Sequence, residues 1–454
     1  MTQATQTDNN NQSIYVEDKP VETVKVFAVA KDDGKYAAQI ANMYVSALGA
    51  GGVSAPGHEA YPDSDLFTLE GVEATISAGE RTIAIACPVD ASGEQQPCAG
   101  AMVMDRLSPY HVEFNSMAVA MPSRGLKLGS KIVQGLRDLV DLSDFTVNAT
   151  ELVTHSLASQ AAHIRAGYKN ICGFGFCQYP RVFFKDHPES VLWVVRLQGK
   201  LVSRVKQLRA NLGRGLGDSI DLVQHKVVEA QARFSASSTY QRLDEKQLTI
   251  VSDLLSSRVS YVPQRYKALV ESILFQFEDT LDRTVRSESD LTTQPGPAQD
   301  SKTSAESDFD VELKEGFGHS YIIYKQNFVF DSASIDKTIS DLKAKDKRFI
   351  LVRIPAHNGE ALPLAQHLQK AGFVFHSYLP LYGYYEGSSA LFGDILTLQW
   401  LKPEVVAQNA LPGQTESVIK LYGYPENLSG PIIETIACEL KAIDIGTNCG
   451  GGAK

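Results

Sequence analysis

The chain of 454 residues has no run of 18 apolar residues, so no segment is expected to span a membrane. It has no basic excess either. Its 43 Lys and Arg stand against 53 Asp and Glu, a formal net charge of −10. That balance argues against nucleic acid as the partner, because phosphate backbones need a basic surface, but it leaves room for one local pocket around a small anion. Residues 1–20 are polar and lack an apolar h-region, so they read as a disordered segment and not as a signal peptide. Cysteine is sparse. Cys87, Cys98, Cys172, Cys177, Cys438 and Cys449 form no CxxC pair, and the nearby histidines have no ligand-like spacing. No metal site is expected, and reduced thiols in a cytoplasmic protein are the plainer reading. The glycine-rich stretch 213–217 has no apolar strand before it, which excludes a dinucleotide loop.

What is present is ordinary globular material, 43% hydrophobic and 21% charged, enough for two or three domains. Val24 to Val29 reads as a strand, and Tyr36, Ile40, Met43, Tyr44, Ala47 and Leu48 recur at helical spacing after it. Residues 82–87 and 99–104 read as paired strands with a polar loop between them. Val112 to Val119 and Phe145 to Val153 are further strands. Ile132, Val133, Leu136, Leu139 and Val140 mark an amphipathic helix between them. A helix over Ser159 to Arg165 and a strand over Val191 to Leu197 follow. The expected class is α/β (α+β) with a mixed sheet over 21–198. Residues 199–285 read as mainly helical, 286–309 as a solvated linker, 310–402 as a second α/β segment, and 403–454 as a tail with one short helix. The stretch from His163 to Gly167-Tyr168 resembles that from His367 to Gly372-Phe373, roughly 205 residues on, a period that suggests two copies of one domain and not a solenoid.

The chemistry is concentrated in Met117-Ala118-Val119 and Arg124-Gly125-Leu126-Lys127-Leu128-Gly129-Ser130. A strand ends, a glycine-containing turn follows, and a helix begins. The first N–H groups of a helix lack intrahelical acceptors and lie at the positive end of its dipole, so they form a place for an anion. Gly125 and Gly129 permit close approach of a phosphate, and Arg124 can add a charge-assisted bond.

This segment resembles motif A of the GNAT (N-acetyltransferase) superfamily, Gln/Arg-x-x-Gly-x-Gly/Ala. Arg124 and Gly129 match its first and last positions, while Lys127 stands where the family has its first glycine. The stretch from His155-Ser156 to Gly167-Tyr168 is similar to the family's motif B, in which a helix ends in Gly-Phe. The resemblance covers residues 22–198. Residues 349–401 are similar to a second, degenerate copy without the Arg-x-x-Gly-x-Gly run.

The resemblance implies an acyl-CoA-dependent N-acyltransferase with acetyl-CoA or another acyl-CoA as co-substrate and no metal. The acceptor would be a small-molecule or peptide amine, attacking directly. Met117, Ala118 and Val119 would meet the pantetheine arm, and residues 124–130 the pyrophosphate. Ser156 takes the place of the family's motif B asparagine. Family-like positions make Glu113 the base, with His111 in reserve, and His163 the acid that protonates the leaving thiolate. Strand alternation would place Glu113 on one face with Met117 and Val119. The departures at Lys127, Ser156 and His163 favour an alternative, a non-catalytic acyl-CoA-binding or partner-binding protein on the same fold. A third reading is an aminoacyl or peptidyl transferase, in which the second copy forms part of the acceptor cleft.

Overall fold

The computed structural model describes residues 23–48, 64–154, 156–179, 189–212, 244–291, 307–314, 318–385, 392–409 and 426–449. The first half runs β1 (Val24–Ala28), α1 (Ala37–Leu48), α2 (Leu69–Ala78), β2 (Arg81–Pro88), β3 (Gly100–Ser108), β4 (His111–Val119) and α3 (Leu128–Leu142). It continues through β5 (Val147–Val153), α4 (Leu157–Arg165), β6 (Ile171–Tyr179) and β7 (Glu189–Leu197). A middle segment holds α5 (Gly199–Leu212), α6 (Glu245–Leu255), β8 (Ser257–Tyr261), α7 (Gln264–Phe275) and β9 (Asp282–Arg286). The second half has β10 (Phe309–Lys314), β11 (His319–Tyr324), α8 (Ser332–Ala344), β12 (Phe349–Pro355) and α9 (Ala361–Lys370). It ends with β13 (Val374–Tyr384), β14 (Phe392–Leu401), α10 (Pro403–Asn409) and α11 (Glu426–Cys449).

Twelve strands make one mixed sheet in the order β1-β2-β3-β4-β5-β7-β6-β13-β14-β12-β11-β10. The apolar spacing of α3 explains its seat. Leu128, Ile132, Val133, Leu136 and Val140 fall on one face and are buried against the sheet. On the other face of β2 and β3, Ile40 and Tyr44 of α1 and Val72 of α2 pack on Ile83, Ile85 and Val103.

Five strands of the second half match five of the first in order and sense. β10-β11-β12-β14-β13 has the order and strand senses of β3-β4-β5-β7-β6. Register agrees too. His111 faces Val147 and His319 faces Phe349 across the two parallel pairs. β6 and β13 carry irregularities at matching places, with Cys177 and Leu381 both in the left-handed region, φ 49° and 58°. Both strands follow a left-handed glycine, Gly167 and Gly372. The halves join where Gly173 of β6 pairs antiparallel with Ser377 of β13. These are equivalent positions, so a pseudo-two-fold axis passes between them.

Several expectations need amending. The middle segment is not only helical, since β8 and β9 form a parallel two-stranded sheet. The expected linker 286–309 starts with built structure. Arg286 closes β9, and Ser287 caps a short turn over Glu288–Asp290. The tail helix extends to Cys449, so Asn448 and Cys449 are helical and not part of a loose end. Residues 1–20, 213–217 and 292–306, together with His155 and the stretch 180–188, lie outside the described residues.

The junction makes a direct prediction. A Cβ on Gly173 would lie 2.1 Å from the Ser377 Cβ and 2.6 Å from the His376 carbonyl oxygen. Gly173→Val should force β6 from β13 and destabilise the full chain by about 1–3 kcal/mol or more, read as a lower denaturant midpoint. An unchanged midpoint would show that this crossing does not hold the halves together.

Candidate functional site

The site begins where two parallel strands part. β4 and β5 pair only from His111 to Phe114 and from Val147 to Thr150. At the fork the Thr150 hydroxyl donates to the Phe114 carbonyl at 2.9 Å, occupying an acceptor at the point where the ladder stops. Beyond it β4 bulges. Val103 pairs with Asn115 but Ala101 pairs with Ala118, so three steps on β4 match two on β3. Ser116 takes φ 53°, and the Tyr44 hydroxyl donates to its carbonyl at 2.5 Å.

The bulge overturns the alternation expected along β4. Glu113 lies opposite Asp105, on the face that carries Val103 and Ala101. Ala118 is buried with them against α1 and α2. Met117 and Val119 turn to the other face. The Met117 sulfur comes within 3.5 Å of a Cβ built on Gly129, and Val119 pairs with Gly100 beside Ile132 of α3. Glu113 and Val119 therefore occupy opposite sides of the fork.

At the mouth of the fork stands the start of α3. Gly125 at φ 88° and Lys127 at φ 58° turn the chain into the helix, and no side chain caps it. Arg124 is braced backwards, donating to the Ala47 carbonyl at 2.9 Å and reaching the Val119 carbonyl at 3.5 Å. Lys127 is exposed, Leu128 is buried, and Gly129 and Ser130 are half-buried. Arg165, which sequence reasoning did not single out, extends from α4 to the Ser130 hydroxyl at 3.5 Å and adds a second cation there. In the second half the equivalent helix α8 is closed to anions. Asp331 caps it, its carboxylate accepting from the Ala333 N–H at 3.0 Å.

The fork leads into a cavity of about 640 Å³ between the halves. Glu113, Met117, Ser156 and His163 line it, whereas Ala118, Val119 and residues 124–130 do not. Ser156 also caps α4, its hydroxyl accepting from the Ser159 N–H at 3.3 Å. Equivalent positions meet across the pseudo-axis: His111, Glu113 and Glu151 from one half, His319, Tyr321 and Arg353 from the other. Glu151 accepts from the Gln178 amide at 3.1 Å and from the Tyr179 hydroxyl. Burial raises the pKa of its carboxyl, against the lowering by Tyr179, Gln178 and Arg353.

The histidines of the cavity are uncharged near neutral pH. Burial pushes His163 down to about 4, and burial with Arg353 close by pushes His111 to about 3. His163 Nδ1 lies 2.9 Å from the Ser159 carbonyl, which fixes the proton on Nδ1 and leaves Nε2 bare. A bare Nε2 accepts a proton and has none to give, so this geometry opposes the acid role that the family position implies for His163. His111 packs edge-on against Tyr382 at 4.2 Å.

Solved structures similar to this chain are GNAT-type acetyltransferases. A ribosomal-protein-S5-alanine acetyltransferase from Vibrio fischeri is 12% identical, with 40% of this chain and 96% of that one covered at a TM-score of 0.31. A GNAT superfamily phosphinothricin acetyltransferase from Sinorhizobium meliloti, in complex with acetyl-CoA, is 16% identical over 39% of this chain and 90% of its own, at 0.30. Aminoglycoside 6'-acetyltransferase type Ii is 16% identical over 38% and 96%, at 0.28. No family model and no curated protein matches the chain.

The buried His163 makes stability depend on pH. An ordinary histidine titrates near 6.5 and His163 near 4, so between those values the unfolded chain binds the extra proton. Its contribution is complete above about pH 6.5 and declines as pH falls towards 4, by up to about 1.4 kcal/mol per pH unit. His163→Gln should flatten the decline measured by denaturant unfolding at pH 7, 6 and 5. Parallel curves for the two proteins would contradict this assignment.

Proposed function

We propose that this protein is an acyl-CoA-dependent N-acyltransferase that moves an acyl group to an amine bound between its halves. One observation carries the reading. Phe114, Met117 and Thr150 at the fork between β4 and β5 line the carboxylate-bearing cavity, and Met117 lies beside Gly129 at the uncapped start of α3. A long cofactor with an anionic middle and a reactive tip needs such a path. The capped start of α8 favours one competent site and a second half that has lost its own. The repeated strand order supports reading that half as a degenerate GNAT-like domain.

Acyl-CoA would supply the thioester, its pyrophosphate lying against the N–H groups of Leu128, Gly129 and Ser130 with Lys127 and Arg165 at hand. Met117, beside Gly129, would touch the pantetheine arm. Glu113 takes the proton from the attacking amine, directly or through a water. Glu151, held by Tyr179 and Gln178, adds negative charge that draws an ammonium to the same place. His163 Nε2 is a second acceptor. The thiolate then leaves without a protein acid at this helix position.

Two experiments test the reading. A Cβ on Gly129 would meet only ordinary contacts at 3.5–3.7 Å, so the fold tolerates one, but a longer acidic chain would reach the phosphate position. Gly129→Glu should weaken coenzyme A binding in calorimetry by roughly tenfold or more; unchanged affinity would move the cofactor elsewhere. Glu113→Gln should slow transfer by about 100- to 10,000-fold near neutral pH and recover partly as pH rises and free amine accumulates. A uniform loss at every pH would mean that Glu113 positions the acceptor and does not deprotonate it.

A further inference from the structure

The cavity contains one guanidinium that the transfer reading leaves unused. Arg353 sits on β12 of the second half, and its guanidinium lies over three aromatic rings: Tyr321 at 5.0 Å, Tyr382 at 5.3 Å and Trp193 at 6.0 Å. Those rings fix the plane of the guanidinium. Among the described residues no hydrogen bond or ion pair within 4 Å holds it, Glu113 and Glu151 act on it only through the electrostatic field of the cavity, and the side chain is half-buried where it faces that space. Five donors in a rigid fork, set among three aromatic rings and facing the cavity, suit a planar oxyanion.

The duplication strengthens the point. Arg353 occupies on β12 the position that Glu151 occupies on β5, each four residues after the first pair of its ladder. Equivalent sites have opposite charge, so a cavity of symmetric shape has an acidic side and a basic side. Resting on the transfer reading above, we infer that the acceptor is an amine that also bears a carboxylate. Its nitrogen lies towards Glu113 and Glu151 and its carboxylate towards Arg353. The first half supplies the chemistry and the second half the selection. A doubly charged phosphate fits less well, since the carboxylates of Asp105, Glu113, Glu151 and Glu312 line the same cavity against the two cations Arg353 and Lys314.

Binding can be read without turnover. The chain has two tryptophans, Trp193 and Trp400, and Trp193 stacks on the Arg353 guanidinium. In a full-length Trp400→Phe background, Trp193 fluorescence should report occupancy. Three pairs serve as probes: leucine and isoamylamine, lysine and cadaverine, histidine and histamine. In at least one pair the carboxylate-bearing member should bind at least tenfold more tightly. Arg353→Gln should abolish that difference, and Arg353→Lys should keep part of it. Indistinguishable members in every pair, no binding by any probe, or a preference that survives Arg353→Gln would overturn the inference. Coenzyme A calorimetry on the same protein separates the two claims. A carboxylate preference without coenzyme A binding sinks the transfer reading alone, and coenzyme A binding without the preference sinks this inference alone.

Discussion

Gly173 sits where no side chain fits, against Ser377 and the His376 carbonyl of the opposite half. That close crossing turns two similar half-sheets into one sheet of twelve strands. It also decides which faces confront one another. Equivalent strands β4 and β11, and β5 and β12, present equivalent residues to a shared space. The second half thereby places Tyr321, Arg353 and Tyr382 in a cavity that the first half could not close alone. A charge kept in such a space is only partly solvated, so each ionised group there needs a partner or a ligand.

Symmetry of shape coexists with asymmetry of chemistry. In the first half β4 and β5 part after one short ladder, and the helix that follows leaves its N–H groups open. In the second half Asp331 fills the start of the helix. That acts against anion binding there, because it puts a carboxylate where an anion would lie. A second half whose helix start is already capped is free to contribute side chains to its neighbour's cavity.

Much of this was legible in the sequence. The apolar stripe of α3, the glycines before it and the strand leading into it are local signals, and the structure realises them locally. The faint likeness of His163–Tyr168 to His367–Phe373 coincides with two left-handed glycines that open β6 and β13. What escaped was non-local. Nothing in residues 113–119 announces the bulge at Ser116, yet it reverses the face of every later residue on β4. The tautomer of His163 depends on the Ser159 carbonyl one helical turn away. Glu151 and Arg353 did leave a trace, since each is the single charge of a largely buried strand, a placement that rarely occurs without a partner. Their meeting across the pseudo-axis depends on the β6–β13 pairing, which no periodicity encodes.

The proposed cofactor path runs from the start of α3 through the fork to the cavity. A crystal structure of the full chain with coenzyme A bound tests it most directly. The pyrophosphate should contact the N–H groups of residues 128–130, and the thiol should emerge between Phe114 and Val153, pointing at the space shared by Glu113 and Arg353. Coenzyme A bound at α8, or with its thiol directed away from that cavity, would contradict the account.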